Sequence, residues 1–165
     1  KKLVENLVGL FSAEREENKC FKPIVGILQR LSFSKEPRQQ MIGLGIVPMI
    51  FKVFKNEGSE LSGFTLQFLT AMMMNLSLKK ESKPDFEKHK AELISIVIEH
   101  MTSENNQVRD YINGSIFLLL TSKPIKEEAL RQKLDLIVKN RLETREDDMC
   151  SQQYTYILKR LTGEE

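Results

Sequence analysis

Leu69-Thr70-Ala71-Met72-Met73-Met74-Asn75-Leu76-Ser77-Leu78 is the stretch on which the reading of this chain turns. It reads as the end of a long buried helix, closed by the apolar–hydroxyl pair Leu76-Ser77. That pair has counterparts at Leu31-Ser32, Leu120-Thr121 and Leu161-Thr162, at separations of 45 (31 to 76), 44 (76 to 120) and 41 residues (120 to 161). A recurrence in the low forties, each time closing an apolar helical run, is the period of a multi-helix repeat. Such a unit cannot bury its apolar faces alone. It stacks on its neighbours, and the product is a solenoid with a long binding face.

Composition agrees with a stacked helical domain. At 165 residues, 41% hydrophobic and 29% charged, the chain is long enough for about four such units. Five prolines and eight glycines are too few for a β-sandwich with many tight turns. The formal net charge is +2, which makes no sequence-wide electrostatic case for nucleic acid. Cys20 and Cys150 lie far apart without metal-type spacing and read as two reduced thiols of an intracellular protein. No apolar run reaches the length of a membrane span, and no signal peptide is read at the start. The chain opens Lys1-Lys2-Leu3, without Met and within a helical pattern, as expected of a piece of a longer protein.

Outward from the central stretch, helical spacing predicts a first helix over 1–16 (Leu3, Val4, Leu7, Val8, Leu10, Phe11), closed by the acidic stretch Glu14 to Asn18. A second starts near Phe21-Lys22-Pro23 and buries Ile24, Val25, Ile27, Leu28 and Leu31. A short helix over Glu36 to Leu44 follows. Gly45 ends it in the left-handed conformation, and Pro48 sits in the first turn of the next, where its missing N–H has no helical partner. Ile46, Val47, Ile50, Phe51 and Phe54 form the buried stripe of that helix, and Lys55 to Ser59 a polar turn. The central helix runs from about Glu60 to Leu78 with Ser62 as its cap, burying Leu61, Phe64, Phe68, Leu69, Met72, Met73 and Leu76. Lys79 to Pro84 reads as a charged loop. A short helix or turn is then expected over 85–90, and helices from Ala91 through Met101 and over Asn105 to Leu120, Pro124 to Gln132, Leu134 to Leu142 and Met149 to Leu161. Glu143 to Asp148 is an acidic loop, and Gly163 a helix stop.

No segment alternates with period two, so the fold is expected to be all-α. It is read as a right-handed armadillo/HEAT-type superhelical solenoid of about four stacked repeats, units 1–33, 34–78, 79–121 and 122–165 of a single domain.

Leu31 to Lys55 resembles an armadillo repeat in its order: helix end, short first helix, a Gly-x-Gly-Ile-Val-Pro junction, second helix. Asn75-Leu76-Ser77-Leu78 resembles the end of an armadillo third helix. More closely, Leu28 to Ser32, Thr65 to Leu78, Asp110-Tyr111-Ile112-Asn113-Gly114-Ser115-Ile116 through Pro124 to Ala129, and Tyr156 to Leu161 resemble the C-terminal armadillo region of the LisH-containing armadillo repeat-containing protein nine family. The resemblance covers most of residues 24–165 in the same order; the LisH segment is not in this chain. It implies a non-enzymatic role at the ciliary base and along ciliary microtubules (cytoplasm and cytoskeleton, basal body, centriole, axoneme). The implied work is cilium assembly and stability, with partners that include a tubulin-binding TOG-array protein.

The residues offer little chemistry of their own. His89 and His100 have no Cys or carboxylate at metal-ligand spacing and read as surface or helix-end histidines. Gly43 and Gly45 follow no strand and lack a third glycine, so they mark a helix stop rather than a phosphate cradle. Ser77 and Ser115 have no histidine partner, and the carboxylates are scattered. No cofactor or metal is expected. Of Met72, Met73 and Met74, helical geometry puts at least two in the core. Gly114, inside a predicted helix, marks close approach of a neighbouring helix.

The best candidate site uses solenoid geometry, in which the third helix of each armadillo repeat lines the concave groove. Aligning on the closing pairs puts Arg30, Asn75, Leu119 and Arg160 at one groove position, and Gly26, Ala71, Ser115 and Tyr156 one turn earlier. Lys22, Arg30, Gln67, Asn75, Tyr111, Ser115, Tyr156 and Arg160 then form a mildly basic polar groove suited to an acidic or mixed peptide or helix of another protein. The bland alternative is that these side chains are merely solvated. The Trp–Asn ladder of importin-type grooves is missing, since the chain has no Trp and only Asn75 matches. The rival reading is a direct microtubule-binding HEAT-like module. Its candidate edge loops, Lys55 to Glu60, Thr102 to Gln107 and Glu143 to Asp148, are mixed or acidic, which the acidic tubulin surface would repel.

Overall fold

Every regular element described in the computed structural model, over residues 2–13, 15, 18–61, 63–144 and 150–163, is helical. In chain order these are α1 (Lys2–Ala13), α2 (Phe21–Ser32), α3 (Lys35–Gly43), α4 (Ile46–Glu57), α5 (Gly63–Ser77) and α6 (Lys83–Lys88). Then come α7 (Lys90–His100), α8 (Asn106–Leu119), α9 (Lys123–Arg131), α10 (Leu134–Thr144) and α11 (Ser151–Thr162). Helices α2, α5, α8 and α11 pack in succession, α2 on α5, α5 on α8 and α8 on α11. Behind them α4 packs on α5, α6 and α7, α7 on α8 and α9, and α10 on α9 and α11. These repeating helix-pair contacts are those of a solenoid.

The closing hydroxyls explain why the sequence recurs. Ser32 Oγ donates to Gln29 O, Ser77 Oγ to Met74 O at 2.7 Å, Thr121 Oγ1 to Leu118 O at 2.9 Å and Thr162 Oγ1 to Leu158 O at 3.1 Å. The first three engage a carbonyl of the last turn, where backbone acceptors lack intrahelical partners, and the fourth reaches one turn back within α11. Gly45 adopts φ +76° between α3 and α4, and Pro48 sits in the first turn of α4. Asn105 caps α8, its Oδ1 accepting from Gln107 N at 3.0 Å and Val108 N at 3.3 Å.

The core runs unbroken from α1 to α11. Phe11 stacks on Phe21 at 5.7 Å, and Phe51 meets Phe86 edge-on at 5.9 Å. Met72 and Met73 are both buried, as the spacing predicts. Tyr154 is buried with its hydroxyl donating to Met101 O at 3.0 Å, which ties α11 to the end of α7.

The structure departs from expectation in several places. Phe64 is 59% exposed, not core; it lies in the first turn of α5, and Thr65, Thr70, Ala71 and Ser77 are buried instead. Small residues let α2 and α8 approach α5 closely, and Thr70 Oγ1 is satisfied by Leu66 O at 2.9 Å. Ile27, expected in the stripe of α2, is 46% exposed. Lys55 to Glu57 continue α4 rather than forming a turn, and 58–60 add a 3-10 turn. Lys80–Ser82 is a 3-10 turn and α6 already begins at Lys83, held by Ser82 Oγ donating to Leu76 O at 2.7 Å. The cap expected at Ser62, most of the acidic stretch after the first helix, and most of the Glu143–Asp148 loop lie outside the described residues, as do Glu164 and Glu165.

A Cβ built on Gly114 would lie 3.0 Å from Met74 Cε, and one on Gly26 3.2 Å from Phe68 Cε2. Gly114 is therefore where α8 closes on α5. Gly114→Leu is expected to cost about 1–3 kcal/mol through overpacking and to lower the melting temperature. Gly114→Ala should be near neutral, because displacing the flexible Met74 terminus is offset by roughly 1 kcal/mol of helix propensity. A Leu variant melting with the wild type would refute this account.

Glu128 is buried where α9 turns into α10, accepting from Arg131 Nε at 2.9 Å and Gln132 Nε2 at 2.6 Å. These hydrogen bonds hold its carboxyl at about 2, below its ordinary 4.5. The depressed folded-state value means that the contribution is complete above the unfolded-state value and is lost as pH falls. Glu128→Gln should accordingly flatten the loss of stability between roughly pH 5 and pH 2, read from chemical denaturation at each pH.

Candidate functional site

The face formed by α2, α5, α8 and α11 carries side chains that the core does not consume. On α2 and α5, Lys22 Nζ lies 4.2 Å from the Phe64 ring centroid. On α8 and α11, Arg160 Cζ lies 4.2 Å from the Phe117 centroid, and Phe117 meets Tyr156 at 6.3 Å. Cations thus sit on aromatic faces at both ends of the row, an arrangement favoured by the ring quadrupole. Polar side chains bridge neighbouring helices between them. Asn75 Nδ2 donates to Ser32 Oγ at 2.8 Å, and Asn113 Nδ2 to Gln153 Oε1 at 2.8 Å. Gln153 Nε2 in turn donates to Asp110 Oδ1 at 2.8 Å.

A cavity of about 350 Å³ opens between α5, α8 and α11, lined by Met74, Tyr111, Phe117 and Tyr156 with Asp110, Asn113, Gly114 and Gln153. A larger one of about 640 Å³ lies among α4, α7 and the end of α9. Several of its polar groups are already paired: Gln132 Nε2 donates to Ala91 O at 3.1 Å, Ser95 Oγ to Gln132 Oε1 at 3.3 Å, and Arg131 pairs with Glu128. His89 stacks on Phe51 at 4.9 Å and His100 tilts over Phe54 at 6.1 Å. Among the described residues no group of three His, Cys, Asp or Glu is placed to hold a metal.

The candidate residues fall unevenly on this geometry. Lys22 and Arg30 are exposed on α2, and Gln67 and Asn75 are half-buried on α5 with the Asn75 amide committed to Ser32. Tyr111 and Tyr156 meet at the smaller cavity, with Arg160 beside it on Phe117. Ser115 does not belong to the face. It is fully buried, and its hydroxyl donates to Tyr111 O at 2.7 Å. Leu119 and Ala71, assigned the same groove positions, are also buried.

The error is one of register. Asp110, Tyr111, Gly114 and Phe117 stand on the cavity side of α8, and Asp110, Tyr111 and Phe117 follow the half-buried Gln67, Phe68 and Met74 of α5 by 43 residues rather than 44. One residue turns a helix by about 100°, which carries Ser115 inward. Asp110 and Phe117 were thereby missed, and stepping by 43 from Gln67 and Met74 would have found them; Asn113 and Gln153 were not singled out either.

A family profile described as LisH domain-containing protein ARMC9, ARM repeats, matches residues 41–162. The chain belongs to this family. It is 26% identical over 161 residues to LisH domain-containing protein ARMC9 of Danio rerio, covering 98% of this chain and 20% of that protein. The Homo sapiens protein of the same name is 26% identical over 164 residues, at 99% and 20% coverage. The Bos taurus protein is 27% identical over 142 residues, at 86% and 21%. The chain therefore spans about a fifth of the length of the curated relatives it matches. The armadillo region named by the profile includes α5, α8 and α11, three of the four helices that build the face.

Asn113 is 1% exposed and depends on Gln153 for the partner of its amide nitrogen. Gln153→Ala is expected to cost about 1–3 kcal/mol by leaving a buried donor unpaired, whereas Gln152→Ala, at an exposed position, should melt with the wild type. Equal melting of the two variants would remove the Asp110–Gln153–Asn113 series from the account.

Proposed function

We propose that this chain is a non-enzymatic protein–protein interaction scaffold, a right-handed solenoid of about four armadillo units (1–33, 34–78, 79–121 and 122–165) that binds its partner along the α2–α5–α8–α11 face. The observation that carries the reading is the row of aromatic and cationic side chains left on four successively packed helices, with amides bridging neighbouring helices between them. Three interhelix steps of about 8–10 Å give a row of roughly 24–30 Å. An extended segment of roughly eight residues spans that length at about 3.3 Å per residue. Lys22, Arg30 and Arg160 favour a segment carrying acidic residues, with Gln67, Tyr111 and Tyr156 supplying hydrogen bonds and ring contact.

Family membership supports placing this work at the cilium: at the ciliary base, centriole and axoneme, in cilium assembly and stability, through ciliary proteins of which a TOG-array protein is one. Association with microtubules is then indirect. Two of the edge loops a direct microtubule reader would use are unsuited to it, since 55–60 is largely helical and Asn105 is committed to capping α8.

The test is a pull-down from ciliated-cell lysate read by mass spectrometry, comparing wild type with Arg30→Glu/Arg160→Glu at equal melting temperature. Ciliary proteins are expected on the wild type and to fall about tenfold or more on the variant, the loss of two favourable charges each becoming a repulsion. Equal retention would remove the face from the proposal. Recovery of tubulin alone, weakening as salt rises, would replace the scaffold with a microtubule-binding module.

A further inference from the structure

The cavity between α5, α8 and α11 has a chemical bias of its own. Three of its lining residues are aromatic (Tyr111, Phe117 and Tyr156), Met74 adds a thioether, and no lysine or arginine lines it. Its polar residues form a directed series. The Asp110 carboxylate can only accept, so Gln153 must turn Nε2 toward it, at 2.8 Å. Gln153 Oε1 then faces Asn113, which must offer Nδ2, also at 2.8 Å. The series ends at Asn113 Oδ1, which is buried and has no partner. Asp110 itself is exposed and forms no ion pair among the described residues. The lining thus presents ring faces, an uncompensated carboxylate and an orphan acceptor. Each of these favours a positively charged hydrogen-bond donor.

We infer that this cavity receives the alkylammonium side chain of a lysine from the partner protein, an assignment that rests on the reading of the face as a partner-binding surface. The methylene stem of the lysine would lie against Met74 and the rings, and its head would carry charge toward the exposed Asp110 carboxylate, with the buried Asn113 Oδ1 adding negative potential behind it. The face already shows this preference twice, with Lys22 over Phe64 and Arg160 over Phe117. Arg160 works against a second cation nearby, and Asp110 offsets it. The partner segment is consequently mixed in charge: acidic toward Lys22 and Arg30, with one lysine toward α11.

The experiment titrates the chain, labelled with ¹³C at its methionine methyls, with Nα-acetyl-lysine methylamide. Nα-acetyl-norleucine methylamide serves as the neutral probe of similar shape and Nα-acetyl-glutamate methylamide as the anionic one. The Met74 methyl and Tyr156 ring resonances are expected to move saturably with the lysine probe, about tenfold more tightly than with norleucine, and less as salt rises. Asp110→Asn, which can still accept from Gln153, should weaken lysine binding several-fold while leaving the melting temperature and norleucine binding unchanged. Norleucine binding as tightly as lysine, preference for the glutamate probe, no saturable shift with any probe, or an Asp110→Asn variant that binds lysine like wild type would each overturn the assignment. The pull-down on Arg30→Glu/Arg160→Glu reads the scaffold separately, so the lysine site can fail while the scaffold stands.

Discussion

Helix α5 is covered on both flanks, by α2 and by α8, and this double burial constrains the remainder of the structure. Leu69, Met72, Met73 and Leu76 are nearly inaccessible, and burying each such side chain contributes roughly 1.5–3 kcal/mol. None of that burial is available to an isolated unit. It requires a neighbour on each side, at a distance set by what stands between the backbones. Gly26 and Gly114 keep that distance short, with Phe68 and Met74 filling the space their missing side chains leave. The outer face then follows, since the residues excluded from the two seams are the ones left to line it.

The helical order of the chain was legible because its punctuation has local physical causes. Gly45 is read as left-handed and is so at φ +76°; Pro48 falls in a first turn; Gly163 closes α11 at φ +79°. The recurring Leu-Ser/Thr pair was visible as a spacing, while the hydroxyl donation to a helix-end carbonyl that accompanies it at Ser32, Ser77 and Thr121 became clear from the hydrogen bonds. The family was legible in the block from Asp110 to Ala129, and the profile match over 41–162 agrees.

The candidate site was only partly legible, because the face a helical residue takes depends on register to within a single position. The closing pairs are a marker of where helices end, and helix ends vary by a residue without disturbing stacking. Using them to align surfaces placed Ser115 in the groove and left Asp110 and Phe117 out of it. The buried Asn113 was not singled out for a different reason. A lone Asn in an apolar helical run carries no signal of whether its amide is satisfied, and that depends on Gln153, 40 residues away. Phe64 misled in the opposite sense: its apolar ring fits the periodic stripe, yet it lies exposed with a lysine over its face.

The exposed aromatics therefore bear on function more than the exposed charges do. Surface charges on a solenoid are expected and individually weak. A phenylalanine left outside the core is more informative when a cation from the adjacent helix holds it, since the pair then fixes a hydrophobic surface in a defined orientation at a helix junction. Lys22–Phe64 does this where α2 meets α5, and Arg160–Phe117 where α8 meets α11. Between these two pairs the polar contacts also cross from helix to helix, so a rotation of one helix would disturb both sets together. Preorganisation of this kind lowers the ordering cost of association. An extended binding face on a stack of helices benefits from it, because the stack supplies rigidity along its length only as far as each junction is locked.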